Sequence, residues 1–188
     1  MEFLDVLDEN GKKTGVVRNR ELIYKNGDWH RTVHVWLLNS KNELLIQKRA
    51  SNKETFPNLW AISIAGHVRS GEEAIDTALR EIKEEIDLTV SPDMLIHLFD
   101  IKRKQNYKKG ILNVHDTIYL LKYDLDINKT KIQKEELSEI RFINYIEFEN
   151  KLLNHDSQFV PYSEEHKLLF EYLKNMIKGW YNEAIIIN

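Results

Sequence analysis

The chain has 188 residues, a formal net charge of -3 at pH 7 and no cysteine, which suits one domain spanning 1–188 with its own core and excludes disulfides, thiolate metal sites and thiol nucleophiles. The charge leaves no global basic field for nucleic acid, although Lys102, Arg103, Lys104, Lys108 and Lys109 make a local basic stripe. With no apolar run of membrane-spanning length and no basic, apolar leader at the start, a cytoplasmic protein is expected, with neither nucleic acid nor membrane as partner.

Phe3 to Leu7 and Thr14 to Val17 flank Asp8-Glu9-Asn10-Gly11, a pattern that predicts an opening hairpin. Arg18 to Trp29 has weak periodicity and an Asn26-Gly27-Asp28 turn, after which Thr32 to Leu38 and Leu44 to Lys48 predict a second hairpin. Ala50 to Pro57 reads as a loop and Trp60 to Ala65 as one short buried strand. Ser70 with Glu73 reads as a capping box opening a helix whose Ile75, Ala78, Leu79, Ile82 and Ile86 form an apolar stripe. Met94 to Lys102 and Ile111 to Tyr123 predict long strands joined by a basic turn through Gly110, and Ser138 to Ile143 adds another strand. Tyr145 to Leu153 predicts a short helix, and Ser163 to Lys178 an amphipathic one through Leu168, Leu169, Tyr172, Leu173 and Met176, with Gly179 as its stop. This order fits a mixed sheet flanked by helices. The tail Ala184 to Ile187 is apolar enough to cover the core or a second copy, so a homodimer stays open.

Chemistry concentrates on the helix after Gly66. Glu81 stands three residues before Glu84 and four before Glu85, a spacing that crowds like charges on one patch and calls for a cation among them. Carboxylate oxygens hold hard ions such as Mg²⁺ while leaving sites open for substrate phosphates, so metal-assisted phosphate chemistry is expected. Read alone, an acidic helix face is more often simply solvated. Gly66 marks either a turn or a close backbone approach to phosphate or metal.

GHVRSGEEAIDTALREIKEEIDL, residues 66–88, resembles the Nudix box of MutT-like hydrolases that cleave diphosphates linked to another moiety. Gly66, Glu72, Arg80, Glu81, Ile82, Glu84, Glu85 and Leu88 occupy the defined positions, and Asp87 stands where the pattern has glycine. The resemblance implies an α/β fold, the Nudix-type α/β/α sandwich with a mixed β-sheet, and a pyrophosphatase using Mg²⁺ or Mn²⁺. It also implies Glu81, Glu84 and Glu85 as metal ligands, Arg80 as the orienting partner of a glutamate, and Arg80, Glu84 and Glu85 as catalytic. His67 follows Gly66 where the family often has a second glycine, and imidazole can ligate metal or donate to phosphate.

Trp29-His30-Arg31, Gln47-Lys48-Arg49 with Lys53, Phe56-Pro57-Asn58-Leu59-Trp60 and Ala65-Gly66-His67 extend the likeness toward type 1 isopentenyl-diphosphate isomerase and related hydrolases. That branch implies diphosphate contact by Arg49 and Lys53. Ala65 occupies the position of the isomerase cysteine, Asn113-Val114-His115 that of its Glu-x-Glu, and Ile23 that of a metal-binding histidine, while His30 and His67 remain. Alanine transfers no proton, so hydrolysis of a small-molecule diphosphate is expected over double-bond isomerisation. A catalytically silent nucleotide sensor is the reading from a different class. His115 and Asp116 are further candidates if their strand approaches the acidic helix. Trp29, Trp36, Trp60 and Tyr107 could equally stack on a ring or fill the core.

Overall fold

The computed structural model describes residues 2–107 and 110–186, with side chains except at 107 and 179–186. The expected turn residues Lys108 and Lys109 and the tail's Ile187 lie outside the described residues, as do the side chains of Ala184 to Ile186.

Alternation along β3 (Trp29–Leu38) decides the architecture. Odd-numbered Val33, Val35 and Leu37 pack with Ala78, Ile82 and Ile86 of α2 (Ala74–Ile86). Even-numbered Trp36 and Leu38 pack with Phe148 and Leu152 of α3 (Tyr145–Leu153) and with Leu169, Phe170, Leu173 and Ile177 of α4 (Glu164–Ile186). Helices therefore cover both faces of one sheet, which is the expected α/β/α sandwich. β3 runs parallel to β8 (Gly110–Lys122), which pairs antiparallel with β7 (Leu95–Tyr107). On its other side β3 joins the opening hairpin of β1 (Phe3–Leu7) and β2 (Lys13–Asn19). The sheet is thus mixed, with nine strands among the described residues.

β3 and β4 (Glu43–Arg49) begin as the predicted hairpin, but their pairing is confined to Leu38 and Leu44. The strands then part, and the expected single strand over Trp60–Ala65 resolves into two. β5 (Trp60–Ala61) pairs with β4, and β6 (Ile64–His67) pairs with β3. Ser63 staples the fork: its Oγ accepts from the Leu37 amide at 3.0 Å and donates to the Leu45 carbonyl at 2.5 Å. On its outer side β4 pairs with β9 (Leu137–Asn144).

Three further expectations are corrected. Arg18 to Trp29 contains a helix, α1 (Arg20–Asn26), capped by Asn19 accepting from the Leu22 amide at 2.9 Å and closed by Gly27 at φ 69°. The capping box does not form, because α2 starts after Glu73, whose side chain makes no capping bond, and Ser70 Oγ donates to Asp5 at 2.7 Å instead. Nor does Gly179 stop α4, which runs on to Ile186; one interior glycine costs a helix only about 1 kcal/mol. Asp87 closes α2 at φ 52°, the left-handed conformation expected of the motif glycine.

The first turn of α4 is pinned by a buried charge. Glu165 accepts from Trp36 Nε1 at 2.9 Å and from His34 Nδ1 at 2.8 Å, and His34 Nε2 faces Asp116 at 3.7 Å. Burial works against charge on His34, yet Glu165 and Asp116 together hold its pKa above the ordinary value of 6.5. This contribution is complete below about pH 6.5 and is lost as pH rises through the higher folded-state value. Glu165→Ala would leave two buried donors unanswered and is expected to cost about 3–5 kcal/mol in urea unfolding, with Glu165→Gln costing less because it keeps an acceptor for Trp36. An unchanged midpoint in Glu165→Ala would contradict this anchoring.

Candidate active site

α2 presents its carboxylates to the fork between β5 and β6, and Arg80 ties them there. Its Nε and Nη2 donate to the two oxygens of Glu72, both at 3.0 Å, and Nη2 also reaches the His67 carbonyl at 3.2 Å. Its Nη1 donates to Glu81 at 2.5 Å and to Glu84 at 3.2 Å. The cation that the crowded glutamates require is therefore, in part, a side chain of the same helix. Burial works against charge on Arg80, but Glu72 and Glu81 outweigh it and hold its pKa above the ordinary arginine value.

Gly66 is where the Glu81 carboxyl comes closest to the sheet. A Cβ at that position would lie 2.1 Å from Glu81 Cδ, so close approach, rather than a turn, explains this glycine. Burial lifts the Glu81 carboxyl to about 7, with Glu84 adding to the rise and Arg80 opposing it. Glu85 is only 3% exposed, accepts from Gln47 Nε2 at 3.3 Å, and is raised well above its ordinary range by burial, then by Glu81 and Glu136. Glu84 is half-exposed and lies 3.7 Å from Arg69. Among the described residues no three carboxylate or imidazole groups converge as a ready-made metal cage. The donor chemistry still fits a hard divalent ion: two carboxylates are held near one another, desolvated and short of positive charge, beside a third that faces solvent.

The remaining candidates divide among three places. Arg49 donates to the Thr55 carbonyl at 2.8 Å and to Thr55 Oγ1 at 3.0 Å, and Lys53 is ion-paired with Glu136. Lys53 is close enough to Glu85 to act on it electrostatically, and Arg49 stands at the end of β4, the strand that carries Gln47. His67 pairs in register with Thr32, across from the side on which Gly66 meets Glu81, so its ring faces away from the carboxylates. It stacks on His30 at 5.6 Å and bonds Tyr24 Oη through Nε2 at 2.8 Å. His30 Nε2 is buried without a partner, and burial draws the His30 pKa down to about 4. Asp116 lies on this same face, fully buried between Thr32 Oγ1 and the Arg103 guanidinium, and His115 turns to the other face, its ring 4.9 Å from Trp29. Neither joins the acidic helix. Trp36 and Trp60 are core residues, 0% and 4% exposed. Sequence reasoning missed Tyr24, Gln47 and Glu136, which no local spacing links to the box.

A family model described as NUDIX domain matches residues 28–163. The chain belongs to the Nudix family. Nudix hydrolase 3 of Arabidopsis thaliana is 33% identical over 180 residues, covering 92% of this chain, which spans just 23% of that protein. An uncharacterised Nudix hydrolase of Listeria monocytogenes is 34% identical over 164 residues, 86% of this chain and 90% of its own length. Isopentenyl-diphosphate Delta-isomerase 1 of Photorhabdus laumondii is 29% identical over 163 residues, with the same two shares. Among solved structures, DR0079 of Deinococcus radiodurans superposes with a TM-score of 0.67 at 20% identity, over 90% of this chain and 98% of that one. The sequence likeness to both the Nudix hydrolases and the isomerases is thus borne out. Among the described residues no helix is long and apolar enough to cross a membrane.

A carboxylate protonated more readily in the fold than in the unfolded chain costs stability as pH rises between its two values. For Glu81 that window runs from about 4.5 to about 7. Metal-free Glu81→Gln is therefore expected to gain stability relative to the parent as pH is raised across it, measured by urea unfolding at several pH values. Parallel profiles for the two proteins would contradict the burial of that charge.

Proposed function

We propose that this Nudix protein is a divalent-metal-dependent hydrolase that splits the diphosphate linkage of a nucleoside diphosphate derivative or a related organic diphosphate. The observation that carries the reading is that Glu81 and Glu85 are both desolvated at the fork and act on one another, while Arg80 ties the more exposed Glu84 to Glu81. Glu81, Glu84 and Glu85 would hold Mg²⁺ or Mn²⁺. When bound, such an ion supplies charge neutralisation at phosphoryl oxygens and a lower pKa for its water.

The chain's own residues supply the rest. Arg80 orients Glu81 and Glu84 while staying anchored on Glu72. Arg49 and Lys53 receive the phosphates, which matches the preference of guanidinium and ammonium groups for phosphate oxygens. Gly66 leaves room for the Glu81 carboxyl to lie against β6. His67, turned to the opposite face of the sheet with His30, takes no place among the ligands of the glutamate site. The isomerase reading lacks a proton donor at Ala65, since proton transfer at carbon needs a titratable group there.

Incubation with Mg²⁺ and a panel of diphosphates tests the reading. The panel comprises a nucleoside diphosphate sugar, nucleoside triphosphates, a dinucleotide, thiamine diphosphate and isopentenyl diphosphate. Metal-dependent release of phosphorylated fragments is expected. Deuterium uptake into isopentenyl diphosphate without phosphate release would establish the isomerase instead, and tight nucleotide binding without turnover a sensor. Gly66→Ala forces the Glu81 carboxyl aside and is expected to lower kcat about 100-fold, as misplacement by an ångström does. Glu84→Gln should likewise lose most turnover. Unchanged rates in both variants would remove the glutamates from the chemistry.

A further inference from the structure

Glu136 lies outside the Nudix box, in the turn just before β9, yet the fold ties that turn to the active site from two sides. The Gln133 amide donates to the Glu85 carbonyl at 3.0 Å, and the Glu136 amide donates back to the Gln133 carbonyl at 2.9 Å. On the other side the Ala50 amide, at the end of β4, donates to the Glu136 carbonyl at 3.1 Å. The turn is thus sutured to the last turn of α2 and to the strand that precedes the Arg49–Lys53 segment. The side chain follows the same geometry: Glu136 is paired with Lys53, and both act electrostatically on Glu85. It is part-exposed, its side chain 40% accessible, so water reaches it.

We propose that Glu136 is a further catalytic residue of this site, the general base for the attacking water, masked by Lys53 until a substrate phosphate draws the lysine away. The inference rests on the hydrolase reading and assigns Lys53 two successive partners. With no phosphate present the ammonium neutralises Glu136. A diphosphate at the fork offers more negative charge and competes for the same ammonium, leaving Glu136 uncompensated and basic beside the reacting phosphorus. In the step itself one water O–H bond breaks and its proton passes to Glu136. The water oxygen forms a new bond to phosphorus, and the bridging P–O bond breaks with its electron pair leaving on the departing phosphate fragment. Coupling the base to phosphate occupancy in this way gives Lys53 a role beyond charge neutralisation.

The rival explanation is a purely structural one, in which Glu136 merely holds Lys53 ready for substrate. The two differ in sign. If Glu136 competes with substrate for Lys53 and also takes the proton, Glu136→Gln lowers kcat about 100-fold while KM stays level or falls. If Glu136 only positions Lys53, the same change raises KM and leaves kcat alone. The pair is partly solvated, so its loss is worth little to folding, and the melting temperature of Glu136→Gln is expected to stay close to that of the parent.

The experiment uses the full chain with Mg²⁺ and the panel diphosphate that the parent hydrolyses fastest. Glu136→Gln, Glu136→Asp, Lys53→Met and the double variant Lys53→Met/Glu136→Gln are compared, with inorganic pyrophosphate binding measured by calorimetry without metal. Expected are a kcat loss in Glu136→Gln, its partial recovery in Glu136→Asp, tighter pyrophosphate binding by Glu136→Gln, and no such tightening once Lys53 is methionine. Lys53→Met alone should raise KM about tenfold, the loss of one charge-assisted contact, and Glu136→Gln should still lower kcat in that background. A parent-like kcat in Glu136→Gln overturns the inference while leaving the hydrolase reading intact. An inactive parent across the whole panel overturns both.

Discussion

The site is organised around one guanidinium. Arg80 spends its donors on Glu72, Glu81, Glu84 and the His67 carbonyl, joining α2 to the end of β6 and to the loop that carries Glu72. A planar fork of fixed donors suits this task better than a lysine, because two parallel bonds to Glu72 fix its plane and leave Nη1 to face the other two carboxylates. The cost of the arrangement falls on Glu81 and Glu85, which are buried with less positive charge than they need. Sites that perturb carboxylates in this way are where function concentrates.

The carboxylates can gather only because the sheet opens there. β3 and β4 part away from the Leu38–Leu44 pair, and β5 and β6 fill the wedge without pairing with one another, Ser63 tying its two sides at the apex. On the α2 side this fork receives the glutamates. On the opposite side β3 and β6, with the neighbouring β8, carry His30, Thr32, His67 and Asp116, a polar surface continuous through His34 with Glu165 of α4. The two faces share strands while keeping separate electrostatic characters: one is short of positive charge, and the other is compensated by Arg103, apart from the orphaned His30 Nε2.

Local pattern carried much of this. The strands of the central sheet, the apolar stripe of α2 and the short helix α3 are written in spacings of a few residues, and those are legible in a sequence. α1 was not, since seven residues burying only Ile23 and Tyr24 give no period to detect. The split between β5 and β6 depends on the divergence of β3 and β4, a tertiary event, and Ser70 left its capping box because Asp5, on another strand, competes for it. The Nudix box was visible as a motif, but the partners that give it geometry were not. Gln47 meets Glu85 across 38 positions, Lys53 meets Glu136 across 83, and His34 meets Glu165 across 131. No spacing rule connects residues so far apart. The placement of His67 was missed for a related reason, because neighbours in a strand point to opposite faces and Gly66 had already claimed the α2 side.

The central claim, that the α2 glutamates exist to hold a divalent cation against phosphate, is tested most directly by diffraction from crystals grown with Mn²⁺ and inorganic pyrophosphate, using the anomalous signal to locate the ion. The account predicts a peak bounded by oxygens of Glu81, Glu84 and Glu85, with pyrophosphate beside it. A map empty at those oxygens, or a peak confined to the His30 and His67 face, would contradict it.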